Sequence, residues 1–184
     1  MSNDAAQAAR SSIEDRLRRI EDRLAIRDVG LRYFLAIDEQ DIEALRDLYA
    51  EDAVSGDAVG REAVLDVLRE ARPLLGATIH TLDFSLVELQ GDGRASAIIR
   101  AHVEMDQGGT TAVGAMEYYD TYIRTDQGWR IAERTMDFFY ACPWRDIATS
   151  LTADMRVRRP GEEPEYAMLP RFLAPPGAGR AGPD

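Results

Sequence analysis

Residues 118–140 read YYDTYIRTDQGWRIAERTMDFFY, and this stretch decides the fold. Tyrosine, threonine, isoleucine and phenylalanine favour strands, and the DQG at 126–128 favours a tight turn between them. The stretch therefore predicts a hairpin made by strands at 110–125 and 129–140. Two earlier strands are predicted at 77–90 and 94–106, with GDG at 91–93 and DQGG at 106–109 as turns. Together they predict an antiparallel meander.

The residues before the meander have the spacing of helices. Ile13, Leu17, Ile20 and Leu24 recur at coiled-coil-like intervals, and Ser12 suits an N-cap. From Ser12 to about residue 41 we expect one long helix, or two in series, followed by a helix over 42–50 capped by Asp41 and another over 61–71. Helices followed by strands indicate an α+β fold. The prediction is a cone-like α+β barrel, with three N-terminal helices packed in a curved, mostly antiparallel sheet of four to six strands.

The two ends of the chain differ from this central domain. We expect residues 1–11 to be disordered, residues 12–142 to form the α+β domain, and residues 143–184 to form a Pro/Gly-rich extension. Seven of the eight prolines lie at position 143 or later. A short helix is possible at 145–155, and an extended or disordered tail is expected from 156 onward.

Composition excludes several classes of function. The net charge is -11, which argues against binding nucleic acid or anionic membranes, because both attract clustered positive charge. One cysteine permits no intrachain disulfide, and the few Cys and His residues give no structural zinc site. No secretory signal and no membrane-spanning run are seen. We therefore expect a cytoplasmic protein without metal or cofactor.

Three residues could carry acid/base chemistry. His80, in ATIHTLDF at 77–84, alternates with Thr78, Leu82 and Phe84 on one strand face. It is either a proton carrier in an apolar pocket, with an ordinary pKa of ~6.5, or a core histidine bonded to backbone. Asp38 follows an apolar run at the helix end and could orient an imidazole or lie at the surface. Tyr33 could hold a substrate carbonyl or pack in the core.

Three further residues have weaker patterns. His102 shares a polar strand face with Arg100 and Glu104, which is more typical of a solvated or subunit-contact face. Arg134 lies on an otherwise apolar strand and could bind a carbonyl, a carboxylate or a developing oxyanion, or make an ion pair at the sheet rim. Cys142 has no neighbouring base or cation in sequence, so use as a nucleophile is not expected.

The chain resembles the SnoaL-like group of the nuclear transport factor 2-like superfamily over about residues 12–142. The resemblance rests on AIDEQDIEALRDLYAEDA at 36–53, the lone strand histidine in TIHTL, and the DQGWRIAER hairpin. Within the superfamily the pattern is most similar to the dehydratase branch, which includes scytalone dehydratase, bile-acid 7α-dehydratase and hexachlorocyclohexane dehydrochlorinase.

That resemblance implies a site. It implies that Asp38 and His80 form a working pair, that Tyr33 assists them, and that His102 and Arg134 contact the substrate. Phe84, Met116 and Phe138 are expected to line an apolar substrate pocket. Where scytalone dehydratase has a tyrosine directly before its aspartate, this chain has Ile37.

The function expected from these residues is cofactor-independent acid/base catalysis. A lyase of the dehydratase type, or an isomerase, would act on a small apolar cyclic carbonyl compound such as a steroid, polyketide or terpenoid. The alternatives are a binding or assembly subunit, like the small β subunit of ring-hydroxylating dioxygenases, and a polyketide cyclase or ketosteroid-type isomerase. A homo-oligomer, trimer or dimer, is expected, and the spacing at 13–24 suggests a self-contact.

Overall fold

A long helix and a six-stranded sheet make up most of the molecule. The computed structural model describes residues 3–71, 73, 76–159 and 162–171, with side chains from residue 12 onward. The elements, in chain order, are α1 (Asn3–Asp38), α2 (Ile42–Arg46), β1 (Tyr49–Ser55), β2 (Ala58–Val59), α3 (Arg61–Ala71), β3 (Thr78–Gly91), β4 (Arg94–Gln107), β5 (Thr110–Thr125), β6 (Gly128–Pro143) and a 3-10 helix (Trp144–Thr149).

The sheet confirms the α+β prediction. Its strand order is β2-β1-β6-β5-β4-β3, and β3 to β6 form the predicted antiparallel meander. The strand β1 pairs parallel with β6, so the sheet is mixed, and its two edge strands do not pair with each other. The sheet is therefore an open curved layer and not a closed barrel.

Two helix boundaries differ from the prediction. The helix α1 begins at Asn3 and not at Ser12, so residues 3–11 are helical where a disordered terminus was expected. Asp41 does cap α2, because its side chain accepts a hydrogen bond from the Ala44 amide at 3.0 Å. That helix ends at Arg46, however, and Tyr49 already lies in β1. The Leu48 carbonyl accepts a hydrogen bond from the Ile131 amide, so pairing with β6 replaces the helix.

The core lies between α1 and the concave face of the sheet. The second half of α1 buries Ile26, Val29 and Phe34, while β4 buries every second residue from Ala95 to Val103. Gly30 allows α1 to approach closely, because a Cβ built there would lie 3.0 Å from the Ile99 Cδ1 atom. The concave face is thus packed against α1, and the space left beyond its C-terminal end becomes a cavity.

Part of the C-terminal extension is folded onto β6. Val157 bridges to Ala141 and to Glu165, and the Leu169 amide donates to the Phe138 carbonyl. Arg156 is buried and donates hydrogen bonds to the carbonyls of Phe139, Ala167 and Leu169. Residues 156–159 and 162–171 are therefore an extended, irregular segment that lies against β6. Residues 172–184 lie outside the described residues.

No described helix combines the length and the apolarity that a membrane crossing requires.

Candidate active site

A cavity of about 620 Å³ opens between the end of α1 and the concave face of the sheet. Its wall is mostly apolar, and the polar groups in it come from a few positions on facing elements. Apolar walls with a few convergent polar groups are typical of small-molecule sites. Among its lining residues are Tyr33, Ile37, His80, Val103, Met105, Met116, Tyr118, Arg134 and Phe138.

Asp38 and His80 form a hydrogen-bonded pair at this cavity. The Asp38 Oδ1 atom lies 2.6 Å from the His80 Nδ1 atom, and Oδ2 accepts the His80 backbone amide at 2.9 Å. The Thr78 hydroxyl donates to Oδ1 at 2.7 Å. Three donors therefore fix the carboxylate, and the carboxylate fixes the imidazole with its Nδ1 atom as the donor.

The ring of His80 is held from a second direction. Phe34 stacks on it with ring centroids 5.2 Å apart and an interplanar angle of 11°. The His80 side chain is only 8% exposed, yet it lines the cavity, whereas Asp38 does not. No described residue hydrogen-bonds the His80 Nε2 atom. The arrangement puts the carboxylate behind the imidazole and leaves the far ring nitrogen for a molecule in the cavity.

Local sequence explains why these groups meet. Asp38 is the last residue of α1, and Thr78 and His80 begin β3 on the strand face that points toward it. The peptide dipoles of α1 give its C-terminal end a partial negative charge, which stabilises a positive imidazolium nearby. The helix end and the carboxylate therefore both place negative charge beside the His80 ring.

Arg134 provides a buried positive charge in the same cavity. Its Nε and Nη2 atoms donate to the two carboxylate oxygens of Asp120 at 2.8 Å and 2.6 Å, and both side chains are almost fully buried. The Nη1 atom is buried and has no partner among the described residues. Burial acts to lower the pKa of Arg134, but the Asp120 carboxylate outweighs it and raises that pKa. Arg134 is thus a fixed cation whose Nη1 atom is not engaged by any described residue.

Tyrosines surround this cation. The Arg134 guanidinium lies 3.8 Å from the centroid of the Tyr33 ring and 4.9 Å from that of Tyr118. Burial raises the pKa of Tyr49, Tyr118 and Tyr122; the Asp120 carboxylate adds to this rise and the Arg134 cation opposes it. These phenols therefore remain neutral, and the Tyr122 hydroxyl donates to Asp120 at 2.6 Å. The cluster is a neutral cage around one ion pair.

Two predicted pocket residues lie elsewhere. The pairing of β3 with β4 shifts register between Leu82 and Phe84, so Phe84 leaves the face of His80 and is 39% exposed under the Arg100 guanidinium. His102 is on the convex face of β4, where its Nδ1 atom lies 2.8 Å from Asp83 Oδ2 and its side chain is 50% exposed. Neither residue lines the cavity, so the structure does not bring Phe84 and His102 together with His80 as predicted.

The remaining predicted residues do lie at the cavity. Tyr33, Met116 and Phe138 line it together with His80 and Arg134, and their roles in a reaction stay predictions. Cys142 is buried at the same wall, and burial raises the pKa of its thiol, which disfavours the thiolate.

Sequence reasoning missed Asp120, the partner of Arg134. The sequence did contain a signal. Met116, Tyr118, Asp120 and Tyr122 alternate on one face of β5, and a carboxylate buried on an apolar face is usually paired with a cation.

In the described residues, no group of three or more His, Cys, Asp or Glu side chains is arranged to hold a metal ion.

An open curved sheet wrapped around a long helix, with an apolar cavity at the helix end, defines the nuclear transport factor 2-like class of folds. Within that class the chain belongs to the SnoaL-like domain family, whose model matches residues 18–135. No functionally curated protein matches the chain.

Solved structures agree with this assignment. An NTF2-like protein with a cystatin-like fold from Novosphingobium aromaticivorans is 33% identical, with a TM-score of 0.60 over 68% of this chain and 87% of that one. Hexachlorocyclohexane dehydrochlorinase LinA-type3 from Novosphingobium barchaimii is 21% identical, with a TM-score of 0.64 over 69% and 92%. A protein assigned as a scytalone dehydratase from N. aromaticivorans is 19% identical, with a TM-score of 0.63 over 68% and 89%. The last two share the fold.

Proposed function

We propose that the chain is a cofactor-independent acid/base lyase of the dehydratase type. Its substrate would be a small, mostly apolar, cyclic compound with a carbonyl group and a hydroxyl group on the β carbon. One observation carries the proposal: Asp38 anchors the His80 imidazole through Nδ1, the ring lines an apolar cavity, and no described residue hydrogen-bonds its Nε2 atom. This is the arrangement that a positioned general base requires.

The first step is proton abstraction. His80 Nε2 takes a proton from the carbon next to the carbonyl, and the electron pair of the C–H bond moves toward the carbonyl to give an enolate. The imidazole becomes an imidazolium, which the Asp38 carboxylate and the C-terminal end of α1 stabilise. Because Asp38 accepts two further hydrogen bonds from Thr78 and the His80 amide, the ring keeps its orientation throughout.

The second step expels water. The enolate reforms the carbonyl and a carbon–carbon double bond forms as the C–O bond to the β hydroxyl breaks. The leaving oxygen takes the proton from His80 Nε2, so water departs and the imidazole returns to its neutral form. One histidine thus acts as base and then as acid, and the atoms and charges balance.

The negative oxygen of the enolate needs a donor, and the cavity offers one. Arg134 has a buried Nη1 atom without a partner among the described residues, while Asp120 holds its other side in place. A preorganised donor of this kind is worth more in a dry site than in water. Tyr33 packs against the guanidinium and lines the same space, so its hydroxyl is the second candidate donor.

The test separates proton abstraction from elimination. A panel of cyclic β-hydroxy ketones and the matching ketones without the hydroxyl is incubated with the protein in D₂O and followed by NMR. We expect deuterium to enter next to the carbonyl in both sets, and water to be lost only from the hydroxy ketones. A product of unchanged mass would favour an isomerase or cyclase instead.

His102, on the opposite face of the sheet, provides a matched control for His80. We expect His80→Gln to lose at least ~10²-fold in exchange rate, the usual contribution of a positioned general base, and His102→Gln to keep the wild-type rate. Binding without exchange in the wild-type protein would contradict the lyase proposal and favour the binding or assembly subunit.

A further inference from the structure

The first half of α1 exposes an apolar stripe. Every described residue from Ser12 to Glu21 is exposed, so this part of the helix projects from the domain. Ile13, Leu17, Ile20 and Leu24 are 62%, 54%, 55% and 54% exposed. Their spacing is that of the d, a, d and a positions of successive heptads. A solvent-facing stripe with this spacing on a projecting helix needs a partner.

The stripe repeats in sequence. The pentapeptide IEDRL occurs at 13–17 and again at 20–24, seven residues later. In the second copy Asp22 accepts a hydrogen bond from the Trp129 indole and Arg23 donates to the Val87 carbonyl, which anchors the helix to the sheet. Ile20 and Leu24 still point away from the domain. The fold therefore fixes the direction in which the stripe faces.

The charged residues beside the stripe indicate which helix can pack against it and whether the two helices run parallel. With Leu17 and Leu24 at a positions, the g positions hold Arg16 and Arg23 and the e positions hold Glu21 and Asp28. In a parallel pair each g residue faces the e residue five positions later in the other chain, so Arg16 meets Glu21, whereas Arg23 is held by the Val87 carbonyl of its own domain. An antiparallel pair would instead bring arginine against arginine and glutamate against glutamate.

We propose that the projecting half of α1 associates in parallel with the same segment of other copies of this chain. Leucine at a and isoleucine at d favour trimers and tetramers over dimers. Arg27 occupies the next d position and interrupts the apolar seam, so the contact is short and association depends on protein concentration. The proposal does not depend on the reaction that the cavity performs.

Sedimentation equilibrium of the full chain tests the contact. We expect wild type to form a trimer or tetramer, and Leu17→Asp to weaken association by at least about tenfold because an apolar seam contact is lost. Ser12→Asp adds the same charge at an exposed position off the seam and should leave association unchanged. Circular dichroism should be the same for both, since both positions are exposed. A monomeric or dimeric wild type, or equal association of the two variants, overturns the proposal.

Charge reversal tests the direction. Arg16→Glu and Glu21→Arg should each weaken association, and the double variant should restore it, because opposite charges again meet across a parallel seam. Ile13→Cys should form an interchain disulfide on mild oxidation, since parallel helices place residue 13 beside its own copy. Asp15→Cys, on the opposite side of the helix, is the control, and the native Cys142 is buried. Failure of the charge rescue, or of the cross-link in the Ile13→Cys variant, overturns the parallel arrangement.

Discussion

An Asp–His pair lies on each of the two faces of the sheet. On the concave face Asp38 Oδ1 lies 2.6 Å from His80 Nδ1, and on the convex face Asp83 Oδ2 lies 2.8 Å from His102 Nδ1. The two distances are nearly equal, so the pairing alone does not distinguish them. Their surroundings do: the His80 side chain is 8% exposed and that of His102 is 50% exposed.

The two pairs differ in the contacts that hold them and in the surroundings of the histidine Nε2 atom. Asp38 accepts three hydrogen bonds and Phe34 stacks on His80 at 5.2 Å, whereas the ring centroid of His102 is 6.5 Å from that of Tyr140. Water solvates the outer pair and screens its charges. The inner pair is fixed and faces an apolar cavity. An Asp–His contact becomes a candidate catalytic pair through its cavity and its anchoring.

The largest expected difference between the pairs is in catalysis. Asp38→Asn should lower the exchange and elimination rates by ~10²–10⁴-fold, because an amide neither fixes the imidazole tautomer nor stabilises the imidazolium. Asp83→Asn removes the same charge from the outer pair and should leave both rates unchanged. The two variants are compared by their steady-state rates on one ketone that the wild-type protein converts. Equal losses in both variants would remove the distinction between the faces.

A second difference is expected in stability. Asp38→Ala should lower the free energy of unfolding by about 2–3 kcal/mol, since it leaves the Thr78 hydroxyl and the His80 amide without their acceptor. Asp83→Ala should lower it by about 0–1 kcal/mol, the range for an exposed ion pair. Urea unfolding followed by tryptophan fluorescence gives both values. If Asp83→Ala lowered the free energy of unfolding as much as Asp38→Ala, burial would not explain the difference between the two pairs.

The imidazole protons should report the same contrast without any substrate. The Nδ1 proton of His80 is shielded from water and hydrogen-bonded to Asp38, so we expect a slowly exchanging downfield resonance that disappears in Asp38→Asn. The His102 side chain is half exposed, so its Nδ1 proton should exchange with water too quickly to be seen. Two equally visible resonances would mean that the outer pair is as well shielded as the inner one, and two invisible resonances that the inner pair is open to solvent.

The smallest expected effect concerns the stacked ring. Phe34→Leu keeps an apolar side chain but removes the flat surface against His80, and an aromatic contact is worth about 0.5–1.5 kcal/mol. We expect a rate loss of about 2–10-fold with little change in KM, as that energy converts to a ratio. Tyr140→Phe, beside the outer pair, should have no effect. An unchanged rate in Phe34→Leu would mean that Asp38 alone orients the imidazole.

Sequence patterns predicted the elements better than their faces. The third helix at 61–71 and the strand at 110–125 were predicted with the bounds that the structure has. The strand β1 was missed, because residues 49–50 continue a helical pattern and only pairing with the distant β6 makes them extended. Long-range pairing of this kind leaves no periodicity in a short segment.

For the site residues, too, the sequence predicted which residues matter better than the face on which each one lies. Asp38 and His80 were expected from a family resemblance, and they meet at the helix end. Phe84 was misplaced by a single register shift, since one extra residue in a strand moves every later side chain to the other face. Asp120 was overlooked because a charged residue in a buried strand position is understood only once its partner Arg134 is known.

The folded part of the C-terminal extension has a consequence for how such a protein diversifies. Arg159 and Glu162 line the cavity, and Arg156 ties their segment to the carbonyls of β6 and of the extension itself. These residues lie beyond 18–135, the span that matches the SnoaL-like family, whereas Asp38 and His80 lie inside it. The Asp38–His80 pair and one wall of the cavity are thus encoded in separate stretches of the gene. Substitutions in the extension can therefore change that wall without changing Asp38 or His80.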